Sequence, residues 1–196
     1  MPLAPPLRRP PARAGFSLIE LLIVIAVIAV VSAIAIPRLN VSRYRVNAAT
    51  RSSASTLAYA QRQAVSFQHD MRVVFRTDLG LLEIHEDKDN DGVADAGERV
   101  TRSELGEGVR FGRGTAAVMA ELGTGPVAFD ARSGEFPLLV FHRDGSASEN
   151  GGFYLISHRG AADARYADDA RAVGVVRASG RPAWFAYDGS TWKRGN

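Results

Sequence analysis

None of the 196 residues is cysteine, which excludes disulfide scaffolds, thiolate zinc sites and cysteine nucleophiles. That absence permits an extracytoplasmic location without arguing for one. The four histidines, His69, His85, His142 and His158, form no H-E-x-x-H motif and no i, i+4 pair. His142, Asp144 and Ser146 fall in one short stretch, but no G-x-S-x-G elbow occurs, so a hydrolytic relay has no support. Neither G-x-x-x-x-G-K-S/T nor G-x-G-x-x-G is present, which leaves nucleotide binding unsupported. The expectation is a protein that is not an enzyme and requires no cofactor.

Acids are missing from residues 1–15, where Arg8, Arg9 and Arg13 stand among Pro and Ala. This stretch cannot build a core and reads as a basic cytoplasmic leader. It also explains the formal net charge of +3: without those three of the 24 cations, the remaining 21 match the 21 acids. The chain can supply one membrane segment and one globular domain of roughly 130 to 150 residues, enough to bury a core.

Phe16 to Ile36 is apolar apart from Ser17, Glu20 and Ser32. As a helix, its 21 residues would extend roughly 31 Å at about 1.5 Å per residue, close to the hydrocarbon thickness of a bilayer. The arginines before it place the N-terminus in the cytoplasm and everything after Pro37 outside. Small Gly15 precedes the apolar run, and no A-x-A-like site follows it, so a cut after Gly15 would leave the run on the mature chain. Glu20 is costly in lipid and calls for a partner.

Gly15 followed by Phe16-Ser17-Leu18-Ile19-Glu20 and an apolar helix resembles the class III signal of type IV pilins and of the pseudopilins of type II secretion. Pro37 also matches a proline common in that family's first helix. The resemblance implies that a prepilin peptidase cuts after Gly15 and methylates the new amine of Phe16. It further implies that Glu20 pairs with the Phe16 amine of a neighbouring subunit, and that an inner-membrane assembly platform and other pilins or pseudopilins are partners. Desolvating a carboxylate and an ammonium together agrees with such a pairing.

Beyond Pro37, Val46, Ala49, Ser53, Leu57, Ala60, Ala64 and Phe67 recur at spacings of three and four. They predict a narrow apolar helix face, with Arg45, Arg51 and Arg62 off it. Strand-like runs follow at 71–76, 79–85, 99–103, 109–111, 126–130, 138–142, 153–157, 173–178 and 182–187, separated by Gly, Asp and Asn turns. The expected fold is α+β and pilin-like: a long N-terminal helix, transmembrane in its first half, packed on antiparallel sheets. Its boundaries are a leader at 1–15, a membrane helix at 16–36, a periplasmic half-helix at 37–69 and a β-rich domain at 70–196. The expected location is the bacterial inner membrane, single-pass, with the C-terminal domain periplasmic.

Phe141-His142-Arg143-Asp144-Gly145, and later Val175-Val176-Arg177-Ala178-Ser179-Gly180-Arg181, resemble the C-terminal half of the GspH/FimT family of minor pseudopilins. The function this implies is that of a structural subunit of a type II secretion pseudopilus or a type IV pilus. The alternative is a FimT-like minor pilin that binds extracellular DNA for transformation. That role is associated with a C-terminal Gly-Arg-x-Arg motif, whereas this chain has Gly180-Arg181-Pro182-Ala183 and lacks the second arginine. Arg177, Arg181, Lys193 and Arg194 would be the DNA-binding cations, interleaved with Trp184, Phe185, Tyr187 and Trp192. The other reading makes those aromatics sheet core and the cations a solvated edge.

Residues 87–98 supply a different pattern. Asp87, Asp89, Asp91, Asp95 and Glu98 occupy positions 1, 3, 5, 9 and 12 of a twelve-residue loop, with Gly92 at 6 and the Val93 carbonyl at 7. This is the EF-hand-type Ca²⁺ spacing, although strands rather than helices are expected around it. The alternative is a solvated turn rich in Asp and Gly.

Overall fold

The computed structural model describes residues 15–35, 41–93 and 95–195, with the backbone alone for 33–35. The leader up to residue 14, and Pro37 with its neighbours, lie outside the described residues. The chain divides into two compact units, Met1–Asn40 and Val41–Asn196.

In the first unit, α1 runs from Leu18 to Ala35 and contains one charged residue, Glu20. Its side chains are described as far as Ser32. Among the described residues no helix is long and apolar enough to cross a membrane.

The second unit begins with α2, Val41–Phe67. The predicted stripe is buried from Val46 through Ala64, with Thr50 added because its hydroxyl donates to the Val46 carbonyl at 2.7 Å. Phe67 departs from the prediction. It is 45% exposed at the helix end, where its ring lies against His69. There Gln68 ends the helix in the left-handed region (φ 61°), its N–H bonded to the Ala64 carbonyl. Glycine usually fills that position, so the sequence gives little sign of the stop.

Two antiparallel five-stranded sheets follow. The first, in order β3-β2-β1-β6-β5, comprises β1 (Asp70–Arg76), β2 (Leu81–Asp87), β3 (Val100–Glu104), β5 (Arg132–Ser133) and β6 (Phe136–Phe141). The second, β10-β9-β8-β7-β4, comprises β4 (Val109–Phe111), β7 (Gly151–Ser157), β8 (Arg171–Val175), β9 (Pro182–Tyr187) and β10 (Trp192–Arg194). Alternation along each strand sends Val73, Phe75, Leu82, Ile84, Leu139, Phe153, Leu155 and Val173 into one core with the α2 stripe. Phe75 of the first sheet meets Phe153 of the second at 5.2 Å between ring centres, which joins the sheets.

Nearly every predicted strand is present, with ends shifted by two or three residues at most. The exception is 126–130, which makes only an isolated bridge, Val127 to Phe153. Beyond it the amides of Asp130 and Ala131 are taken by the Glu149 carboxylate, so no ladder continues. The segment 161–172 is largely helical. Ser157 caps α3 (His158–Ala162), and a 3₁₀ helix spans Ala164–Asp169.

All seven residues of β7 are buried. Phe153 and Leu155 face α2, while Tyr154 and Ile156 are covered on the other side by Leu122, Trp192 and Ala116. The Tyr154 hydroxyl donates to the Gly123 carbonyl and accepts from the Met119 N–H, which holds that covering loop down.

Candidate functional site

Ser17 fixes where α1 begins. Its Oγ accepts the Glu20 N–H at 3.2 Å and its carbonyl accepts the Leu21 N–H at 3.2 Å. Ser17 is therefore the N-cap, and Glu20 sits three residues into the helix, the spacing of a capping box. Glu20 thus has a place in the helix start besides its need for a partner. The Ser-x-x-Glu spacing was visible and signals a second role, since a carboxylate in the first turn also complements the helix dipole.

Every described residue from Gly15 to Val31 is exposed, including Phe16 at 87% and Leu18 at 82%. The helix carries apolar residues on all faces, so no orientation hides it from water. Such a surface needs cover from outside the chain.

The acidic loop connects β2 to β3. Asp87, the last residue of β2, is 2% exposed, whereas Asp89 and Asp91 are exposed. One carboxylate oxygen from each of the three lies within 4.8 Å of the others. The Gly92 N–H donates to Asp87 Oδ2 at 3.1 Å, and Arg72 Nη1 stands 3.9 Å from the same oxygen. Asp87 Oδ1 has no hydrogen-bond partner. Burial pushes the Asp87 carboxyl up from its ordinary value, against the Gly92 amide and Arg72.

Asp95 and Glu98 do not join this cluster among the described residues. The Glu98 carboxylate instead accepts from the Lys88 and Asp95 amides at 2.8 and 3.0 Å, bonds that hold it below the usual carboxylate range. Gly92 has φ +82°, a left-handed backbone that favours glycine, and a Cβ there would press on Arg72 Nη1 at 3.1 Å.

At the C-terminal edge Arg177, Arg181, Lys193 and Arg194 are all exposed. Lys193 is paired with Asp188 at 2.8 Å. The aromatic residues between them turn inward. Trp184 packs on the main core under Arg51, Tyr187 is buried, and Trp192 lies between the rings of Tyr154 and Tyr187 while donating to the Ala117 carbonyl. The exposed face of this edge therefore presents mainly guanidinium groups.

His142 and its neighbours line a cleft of about 330 Å³ with Asp70 and Asn90. His142 Nδ1 bonds to Asp70 Oδ2 at 2.8 Å, and the Ser146 hydroxyl donates to Asp144 at 2.6 Å. The serine is thus engaged by the carboxylate, not by the imidazole, and the Ser–His contact of a hydrolytic relay is not made.

Compared with known proteins, the chain matches the family model of the prokaryotic N-terminal methylation motif over residues 10–36. Comparison with curated proteins gives no match. Among solved structures it is similar to the minor pseudopilin EpsH from the type 2 secretion system of Vibrio cholerae. The identity is 16% and the TM-score 0.41, over 76% of this chain and 94% of that one.

Proposed function

We propose that the chain is a pilin-like structural subunit of a type IV pilus or a type II secretion pseudopilus. The observation that carries this reading is α1: an apolar helix exposed on every face, opening at Ser17 within a methylation-motif match and holding a single carboxylate in its first turn. A membrane covers such a helix before assembly, and the helices of neighbouring subunits cover it afterwards.

In this reading a prepilin peptidase cuts after Gly15 and methylates the Phe16 amine. The chain then crosses the inner membrane once through 16–36, with the β-rich unit in the periplasm. Glu20 meets the Phe16 amine of the adjacent subunit. In an apolar bundle each charge alone would be strongly unfavourable, so the pair also sets axial register.

Co-expression with a prepilin peptidase, followed by intact mass measurement, tests the reading. The expected product lacks residues 1–15 and carries one added methyl group. A chain that keeps its leader, or is cut after Ile36, would overturn it.

A further inference from the structure

We propose that the β2–β3 loop is a calcium site, with the carboxylates of Asp87, Asp89 and Asp91 as its protein ligands. Exposed acids alone would not support this. What sets the cluster apart is Asp87, which is 2% exposed, closes a core strand and has Oδ1 without a hydrogen-bond partner. Burying a carboxylate oxygen unmatched is unfavourable, and Arg72, 3.9 Å away on the Oδ2 side, offsets only part of that cost.

The distances suit a hard cation. Ca²⁺ takes oxygen ligands at about 2.3–2.6 Å, so two ligands of one ion stand about 5 Å apart at most. The three aspartate oxygens fall within 4.8 Å of one another and can share one centre. Residues 83–107 hold nine acids against Lys88, Arg99 and Arg102, a surplus that a divalent cation reduces. The irregular loop, closed by Glu98 on the Lys88 and Asp95 amides, suits the flexible coordination of Ca²⁺ better than the strict octahedron of Mg²⁺.

The ion would also tie down a corner of the domain. The Asn90 side-chain carbonyl in the same loop accepts the Asp70 N–H at 2.8 Å, and Glu86 bonds His69 at 3.0 Å. Ordering the loop therefore stiffens the junction between α2 and β1. This inference is independent of the assembly reading, because it rests on the β2–β3 loop and its neighbours within the second unit.

The test uses the full chain in detergent micelles, stripped of metal by chelation and titrated with CaCl₂ in a calorimeter. The expected result is one Ca²⁺ per chain with a Kd on the order of 10⁻⁴–10⁻³ M, in the range of extracellular modules. At tenfold excess over Kd the melting temperature should rise by about 3–5 °C. The variant Asp91→Ala, at an exposed position, should melt like the wild type in chelator and lose both the heat and the shift. No heat and no shift at millimolar Ca²⁺ would overturn the proposal. So would an equal response to MgCl₂, or an undiminished one in Asp91→Ala.

Discussion

Gln61 on α2 donates its side-chain N–H to the Gly145 carbonyl at 2.8 Å and, through the same nitrogen, to the Ser179 carbonyl at 2.6 Å. These two acceptors belong to the stretches 141–145 and 175–181, which are thirty residues apart in the chain. The Arg177 carbonyl accepts the Ala147 N–H at 2.8 Å and completes the junction. One polar side chain thus pins both turns against the helix.

Removing that side chain leaves two carbonyls without their donor. Gln61→Ala should lower unfolding stability by about 1–2 kcal/mol. Gln61→Glu should cost at least as much, because it faces two acceptors with a third. Chemical denaturation of the three proteins checks this, and the denaturant dependence should be unchanged.

Gly180 sits beneath the same junction with φ +60°, and a Cβ there would collide with the Gly145 carbonyl. Left-handed backbone and overlap with a main-chain oxygen act together, so Gly180→Ala should destabilise by about 2–4 kcal/mol. Gly189, also at positive φ but with nothing near its Cβ position, should lose only about 1 kcal/mol as Ala. Thermal melts of the two variants separate crowding from conformational strain.

Asp169 is fully buried. Burial raises its carboxyl, but hydrogen bonds from Arg159 and Ser157 outweigh burial and leave the pKa below its ordinary value. A carboxylate depressed on folding stabilises above its unfolded value of about 4, and that stability fades as pH falls through the folded pKa. Asp169→Asn should therefore cost about 3–5 kcal/mol at pH 7, with the gap to wild type narrowing below about pH 4. Denaturation curves across that range measure it, and a gap independent of pH would count against the pairing.

The two roles of the α1 start can be parted. Ser17→Ala removes the cap and should cost about 0.5–2 kcal/mol of helix stability, yet leave incorporation into filaments possible. Glu20→Gln keeps an acceptor in the first turn but loses the charge; it should still be processed and should fail to assemble. Sheared-filament fractions probed with an antibody report both outcomes. Normal incorporation of Glu20→Gln would remove the assembly role given to that residue.

Local chemistry was written plainly in the sequence. The α2 stripe could be read because helical spacing alone dictates which side chains share a face, and the alternating runs gave most strands for the same reason. Failures came where a distant group intervened. Glu149 claims the amides that would have extended 126–130 into a strand. Gln68 ends α2 without glycine, and the short strands β5 and β10 hold their places through a partner strand and, for β10, through Trp192 packed on Tyr154 and Tyr187.

By itself the sequence determined the Gly15–Glu20 signature, the apolar run, the α+β order of elements and the spacing of the acidic loop, since each rests on neighbours within a turn or a strand. Only the tertiary structure decided that Asp87 is buried with one oxygen unmatched, while Glu98 is held by backbone amides. Burial and pairing depend on what the folded chain brings from far away, here Arg72 from β1 and the core beneath β2. The same holds for the C-terminal aromatic residues, whose inward packing is set by Arg51, Tyr154 and Ala117 from other parts of the chain.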